Sequence, residues 1–265
     1  MTAQEFTMLC VYVLAGTLGL CVGSFLNVVI YRLPNEMSLS KPGSHCTKCN
    51  YSLKWYDNIP VLSYLLLGGK CRKCKTRISP RYMIVEIVNA LLWLLAAALF
   101  WEKSPVYACS VAVVCSSLIC IFFIDLEHML IYNRFTLLVA LGGVAAIFAG
   151  VGSAWYDHLI GAVVGGAMFL GLYYGAIAVL KQEGLGFGDV KYAAAAGLLL
   201  GWQKFLFGIL IASVVGAVVM VITNRITDAD KRKEYPFGPY LVAGTLVALF
   251  AGDAAIAWYL EILLG

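Results

Sequence analysis

Long apolar runs separated by short polar ones fill most of the chain. They lie at residues 8–30, 83–101, 106–124, 135–151, 158–180, 190–202, 204–222 and 238–263. An α-helix needs about 20 mostly apolar residues to cross a bilayer, and fewer where protein packs around it. The pattern therefore predicts an all-α polytopic membrane protein with about eight transmembrane helices. The sixth run is the shortest, broken by Gly201-Trp202-Gln203-Lys204. Residues 31–82 interrupt the series with Pro34, Pro42, Pro60, Pro80 and many basic side chains. That stretch has too little apolar surface to make its own core, so it needs a staple to hold its shape. The predicted division is a first transmembrane helix over 1–30, a small polar domain over 31–82 and a transmembrane core over 83–265. Small residues at helical spacing (Gly19 and Gly23, Gly161 and Gly165, Gly171 and Gly175) predict helices that approach closely.

Composition supports the membrane class. The chain is 62% hydrophobic and 13% charged, with a mean hydropathy of +0.85, unlike a soluble domain of 265 residues. The net charge of +4 says less than its distribution. Ten of the 19 Lys and Arg residues fall between Arg32 and Arg81, and three more form Lys231-Arg232-Lys233. The positive-inside rule makes both segments cytoplasmic and places the N-terminus on the other side. Counting crossings from there makes the loops around 125–134 and 181–191 cytoplasmic as well. The basic segments favour anionic inner-leaflet lipid as a partner, and nothing in the pattern calls for nucleic acid. Residues 1–8 contain Glu5 and no Lys or Arg, so the first run does not read as a cleaved signal.

Two features carry candidate chemistry. The first is a pair of CxxC units, Cys46-Thr47-Lys48-Cys49 and Cys71-Arg72-Lys73-Cys74, separated by 21 residues. Four thiolates at this spacing suit a structural Zn2+ with no open position for catalysis. Two disulfides or free thiols are the competing readings, and a reducing cytoplasm disfavours disulfides. The flanking lysines and Arg72 offset the thiolate charge. The other five cysteines, Cys10, Cys21, Cys109, Cys115 and Cys120, read as small packing residues in the spans.

The second feature is a pair of aspartates beside the hydrocarbon. Asp125 closes the apolar run ending at Ile124, and Asp189 ends Gly186-Phe187-Gly188-Asp189. Ionisable groups there are costly and usually mark an ion path, a proton relay or a catalytic centre. Two predicted spans separate them, so both lie at one membrane face, where they can form an acid–base dyad. Gly186 and Gly188 then give the backbone freedom for a tight turn and close approach of a peptide. A lone Asp at a helix end is also an ordinary cap. Glu127 and His128 read as solvated loop residues. Glu86 and Asn89, one turn apart, read as snorkelling to the interface, with a polar pocket as the alternative.

Further motifs surround these features in order: Gly23-Ser24-Phe25-Leu26-Asn27 running to Arg32-Leu33-Pro34; Trp55 to Tyr64 between the CxxC pairs; Ser79-Pro80-Arg81-Tyr82 before Val85-Glu86; Ile124-Asp125-Leu126; Gly184 to Lys191; and Pro236-Phe237-Gly238-Pro239-Tyr240. Together they resemble the type IV prepilin leader peptidases, bifunctional membrane aspartic peptidases of the GxGD type, over nearly the whole chain. The resemblance implies that Asp125 and Asp189 are catalytic, supported by Gly186 and Gly188, and that 83–265 is the peptidase core. It implies cleavage after a glycine of the basic leader of prepilins or pseudopilins, at the cytoplasmic face of the bacterial inner membrane. It also implies N-methylation of the new terminus by S-adenosylmethionine; no glycine-rich fingerprint marks the donor pocket, and the place to look for it is near the cytoplasmic domain and Glu86. One departure is visible: the family commonly has a proline soon after the first aspartate, where this chain reads Ile131-Tyr132-Asn133. Two other classes bear on the same residues. A proton- or cation-coupled transporter would use both carboxylates, though nearer mid-membrane and with inverted repeats. A non-catalytic assembly factor would use the cysteine loop to dock a partner.

Overall fold

A computed structural model describes residues 2–152, 154–181, 185–227 and 235–264. The Lys231-Arg232-Lys233 cluster and Gly184 of the glycine motif lie outside the described residues. The helices are α1 (Ala3–Arg32), α2 (Leu62–Leu66), α3 (Arg81–Phe100), α4 (Pro105–His128), α5 (Asn133–Ala149), α6 (Trp155–Leu180), α7 (Phe187–Leu200), α8 (Trp202–Thr227) and α9 (Gly238–Leu264). No strand occurs among the described residues; two isolated antiparallel bridges, His45 with Ser52 and Lys70 with Arg77, lie in the polar segment. Every apolar run of the sequence forms a helix. Six of these, α1, α3, α4, α6, α8 and α9, are long and apolar enough to cross a membrane, which makes this a multi-pass membrane protein. The remaining two, α5 and α7, have only 17 and 14 residues.

The chain forms two compact units, Met1–Cys120 and Ile121–Gly265. In the first, α1 packs along α3. A Cβ at Gly19 or Gly23 would stand 2.8 Å from the α3 backbone at Ala90 or Glu86, so only glycine lets the helices meet there. A polar relay crosses this packing. The Asn89 amide donates to the Gly19 carbonyl at 2.7 Å, the Ser116 hydroxyl donates to Asn89 Oδ1 at 2.8 Å, and the Trp93 indole donates to Ser116 at 2.9 Å. Asn89 and Glu86 are therefore buried rather than snorkelling. Their partners sit on α1, on α4 and at Val61 before α2, which a single-helix reading of the sequence does not reveal. Of the span cysteines only Cys115 and Cys120 are buried; Cys10, Cys21 and Cys109 are exposed.

The second unit is organised around α7, which packs with α5, α6, α8 and α9. Its sequence, Ala193-Ala194-Ala195-Ala196-Gly197, presents almost no side-chain bulk, so neighbours pack against its backbone. A Cβ at Gly161 would meet the Gly197 carbonyl, and one at Gly165 would meet the Ala193 carbonyl. Gly171 and Gly175, the same spacing on the same helix, have nothing within 4 Å. Sequence spacing alone does not separate the two cases. Nine of the 14 residues of α7 are buried, and an enclosed helix need not match the full thickness of the hydrocarbon.

Candidate active site and cysteine cluster

Asp125 sits one turn before the C-terminal end of α4, 5% exposed. Its Oδ2 accepts a hydrogen bond from the Gly238 amide at 3.0 Å. Gly238 is the first residue of α9, so this N–H is one of the donors that a helix start leaves unpaired. The same helix end places partial positive charge beside the carboxylate. Pro239, next in line, has no N–H to lose and presets the helical φ. The motif around Gly238 does not by itself show a role for this residue; the structure supplies one.

Asp189 is the third residue of α7, 9% exposed, with its own amide bonded to the Gly186 carbonyl at 3.0 Å. Its Oδ1 is buried without a hydrogen-bond partner among the described residues. Asp125 lies close enough for its charge to act on Asp189. The chain ends that meet here are thus the C-terminal end of α4 and the N-terminal ends of α7 and α9. Both aspartates are buried, and a pair near enough for one charge to act on the other cannot both ionise freely.

The two glycines serve space rather than backbone freedom. Gly186 has φ −72° and ψ 141°, which any residue adopts, and neither glycine has a positive φ. A Cβ at 186 would stand 3.2 Å from Asp189 Oδ2, and one at 188 would stand 3.1 Å from Ile131 Cβ. Ile131 belongs to the segment where the family proline is absent. Asn133, at its end, accepts from Lys191 Nζ at 3.0 Å, which ties that segment to α7. Glu127 and His128 are exposed.

The four CxxC cysteines come together in the first unit. Two turns of matching form deliver them: the Cys46 amide bonds to Tyr51 O and the Cys71 amide to Thr76 O, both at 2.9 Å. Asn50 and Lys75, at equivalent places, both take the left-handed conformation. All four Sγ atoms lie within 4.8 Å of one another. Cys46 and Cys74 are 3.8 Å apart, and Cys49 and Cys71 are 3.9 Å apart. These distances rule out disulfide bonds. They match the roughly 3.8 Å edge of a tetrahedron of sulfurs around a zinc ion with bonds of about 2.3 Å, so the residues fit a metal. The protons are unevenly held. Amides of Lys48 and Cys49 lower Cys46, and the Thr76 hydroxyl and amide bring Cys74 down to about 6. The Tyr51 amide favours the Cys49 thiolate, but burial and the neighbouring sulfurs outweigh it and push Cys49 up to about 11. Holding all four as thiolates at this range would take a cation.

A staple that no motif announces holds the two turns. Asp57, buried, accepts from Arg72 Nε at 2.6 Å, from the Lys54 amide at 3.2 Å and from the Tyr51 hydroxyl at 3.3 Å. Burial raises its carboxyl, yet these donors, Arg72 foremost, outweigh that and hold it below the usual carboxylate range.

Comparison with known proteins fits this arrangement. The profile of the bacterial peptidase A24 N-terminal domain matches residues 17–100, and that of the type IV leader peptidase family matches residues 112–221. A prepilin leader peptidase/N-methyltransferase of Aeromonas salmonicida is 34% identical, covering 93% of this chain and 92% of the relative. One from Pseudomonas aeruginosa is 35% identical, covering 92% and 91%. A type 4 prepilin-like proteins leader peptide-processing enzyme of Escherichia coli is 38% identical, covering 90% and 93%. No solved structure matches. With relatives this similar from end to end, the chain belongs to the type IV leader peptidase family.

Proposed function

We propose that the protein is a membrane aspartic endopeptidase that removes the basic leader of prepilins or pseudopilins after a glycine, and then N-methylates the new terminus. The observation that carries the peptidase reading is the burial of Asp125 and Asp189 within electrostatic reach of each other. The Gly238 amide stabilises charge on Asp125, which leaves Asp189 as the member that keeps the shared proton. Asp125 takes a proton from water, the resulting hydroxide adds to the scissile carbonyl polarised by Asp189, and the proton on Asp125 passes to the amine nitrogen as the C–N bond breaks. The cut lies at the cytoplasmic face of the inner membrane, where a basic leader is drawn to anionic lipid.

Within this reading, residues 31–82 are a cytoplasmic domain closed by Zn2+ on Cys46, Cys49, Cys71 and Cys74, a ligand set with no open position. S-adenosylmethionine supplies an electrophilic methyl group for the freed amine. Two measurements test the proposal. Asp125→Asn and Asp189→Asn, each assayed in detergent with a prepilin, are expected to lose cleavage by about 100-fold or more; either one cleaving at the wild-type rate defeats the dyad. The purified chain should carry about one zinc and lose it in Cys46→Ser and in Cys71→Ser; metal retained in both variants defeats that site.

A further inference from the structure

The polar segment carries one short α-helix, α2, whose two sides differ. Leu62, Leu65 and Leu66 are 49%, 61% and 77% exposed, and at spacings of three and four residues they share one face. The other side meets protein. Ser63 is buried, its hydroxyl donating to the Tyr56 carbonyl at 2.7 Å and accepting the Ile59 amide at 3.1 Å. The Tyr64 hydroxyl donates to the Ile78 carbonyl at 3.3 Å. The Ser63 bonds also tie α2 to the turn of Trp55 and Tyr56, where Trp55 is 80% exposed. Three leucines and a tryptophan thus stand uncovered on one short stretch of a polar segment.

What covers them follows from where α2 is fixed. The Val61 amide, at its start, donates to the buried Glu86 carboxylate at 2.7 Å, and the Ser24 hydroxyl bonds the same carboxylate. Val61 is held there at φ 59° and ψ −50°, a conformation that β-branched residues rarely adopt, so its surroundings pin the start of α2. At 1.5 Å per residue, Glu86 lies about 7.5 Å into α3 from Arg81, and Ser24 about 12 Å into α1 from Arg32. Both helices are long and apolar enough to cross a membrane. Around Glu86 the exposed residues of α3 are Ile84, Ile87 and Val88, the surface of a helix that faces lipid. The start of α2 is therefore level with the outer surface of a span, below the helix ends. Lys54 and Lys70, both exposed, bracket the stretch in sequence, as cations at headgroup level do beside an inserted apolar face.

We infer that α2 is a membrane-inserted anchor: Leu62, Leu65 and Leu66 enter the boundary of headgroups and acyl chains, with Trp55 at headgroup level and Lys54 and Lys70 on anionic phosphates. An interfacial helix seats its apolar face about 5–10 Å into that boundary, which matches the depth set by the bond to Glu86. Trp and Tyr favour the same layer. The partner is the lipid surface itself. Cys49 and Cys71 lie on either side of this stretch in the chain, so the anchor holds the cysteine cluster against the bilayer. Which leaflet is entered follows from the topology proposed above; the insertion does not depend on it, nor on the peptidase chemistry.

The test uses the full-length chain in nanodiscs of phosphatidylethanolamine and phosphatidylglycerol, where solvent reaches both faces. Leu66→Trp adds one indole on the exposed face, read as the difference from the wild type. Phosphatidylcholine brominated on its acyl chains is expected to quench about half or more of the added emission, and aqueous iodide less than about a tenth. Iodide quenching equal to or above bromine quenching places α2 in water and overturns the anchor. Emission untouched by either quencher means that protein covers the face, a second copy or another segment, and overturns it too. If Leu66→Trp does not give a monodisperse protein, native Trp55 decides, read as the wild type minus Trp55→Phe. Quenching of Trp55 by brominated lipid is expected, and its absence overturns the anchor.

Discussion

Asp125 and Asp189 were legible as an energetic anomaly, because charge beside hydrocarbon is costly whatever the fold. Gly238 was not legible, because its contribution is a backbone amide and a missing side chain, delivered from 113 positions away. A Cβ at 238 would stand 2.5 Å from Asp125 Oδ2, so Gly238→Ala must turn the carboxylate out of place. Misplacing a reacting group by about 1 Å can cost on the order of 100-fold in rate. Gly238→Ala is therefore expected to lose prepilin cleavage by about that factor in kcat, with KM and bound zinc little changed. Wild-type kcat in this variant, measured on purified protein, would show that the close contact has no catalytic weight. The same residue-scale view changes the reason for Gly186 and Gly188: the sequence suggested backbone freedom, whereas the structure shows a need for room beside Asp189 and Ile131.

At the scale of elements, hydrophobic periodicity located every long helix, since a run of apolar residues has few other solutions in a bilayer. It could not say which faces touch. Gly161 and Gly165 read the same as Gly171 and Gly175, yet only the first pair lies against the α7 backbone. Overpacking a close-packed site typically costs about 1–3 kcal/mol and more where backbone blocks the new atoms, whereas a change on an open surface usually stays within about 0.5 kcal/mol. Gly165→Leu should therefore lower the thermal midpoint of the detergent-solubilised protein sharply, and Gly171→Leu should leave it near the wild-type value. Equal midpoints for the two variants would remove the packing assigned to α6 and α7. The cysteine cluster was the most legible element, because ligand spacing is a local property. Its Asp57–Arg72 staple was not, since that pair closes only after the two turns have formed.

At the scale of the whole molecule, length alone leaves the number of crossings open, because α5 and α7 fall short of a typical span. The peptidase unit constrains it further. Asp125 at the end of α4 and Asp189 at the start of α7 lie within electrostatic reach of each other, so the chain between them is expected to cross the membrane an even number of times. If α6 crosses, as its length and hydropathy allow, then α5 must cross as well. Gly238 at the start of α9 also touches Asp125, so α7 and α8 together must form another even number. If α8 crosses, so does α7, which at about 21 Å can do so because protein rather than lipid encloses most of it. With α1, α3, α4 and α9 added, the parity predicts eight crossings, and the positive-inside rule applied to the basic segment 31–82 predicts a cytoplasmic end for the two aspartates. Alkaline phosphatase, active only outside the cytoplasm, is therefore expected to work when fused after Lys103 or Gly152 and to be inactive after Met129 or Lys181. The fusion after Gly152 is the discriminating one: if α5 stayed on the cytoplasmic side, it would be inactive. That result would place the two aspartates at opposite faces, and their pairing would have to be abandoned.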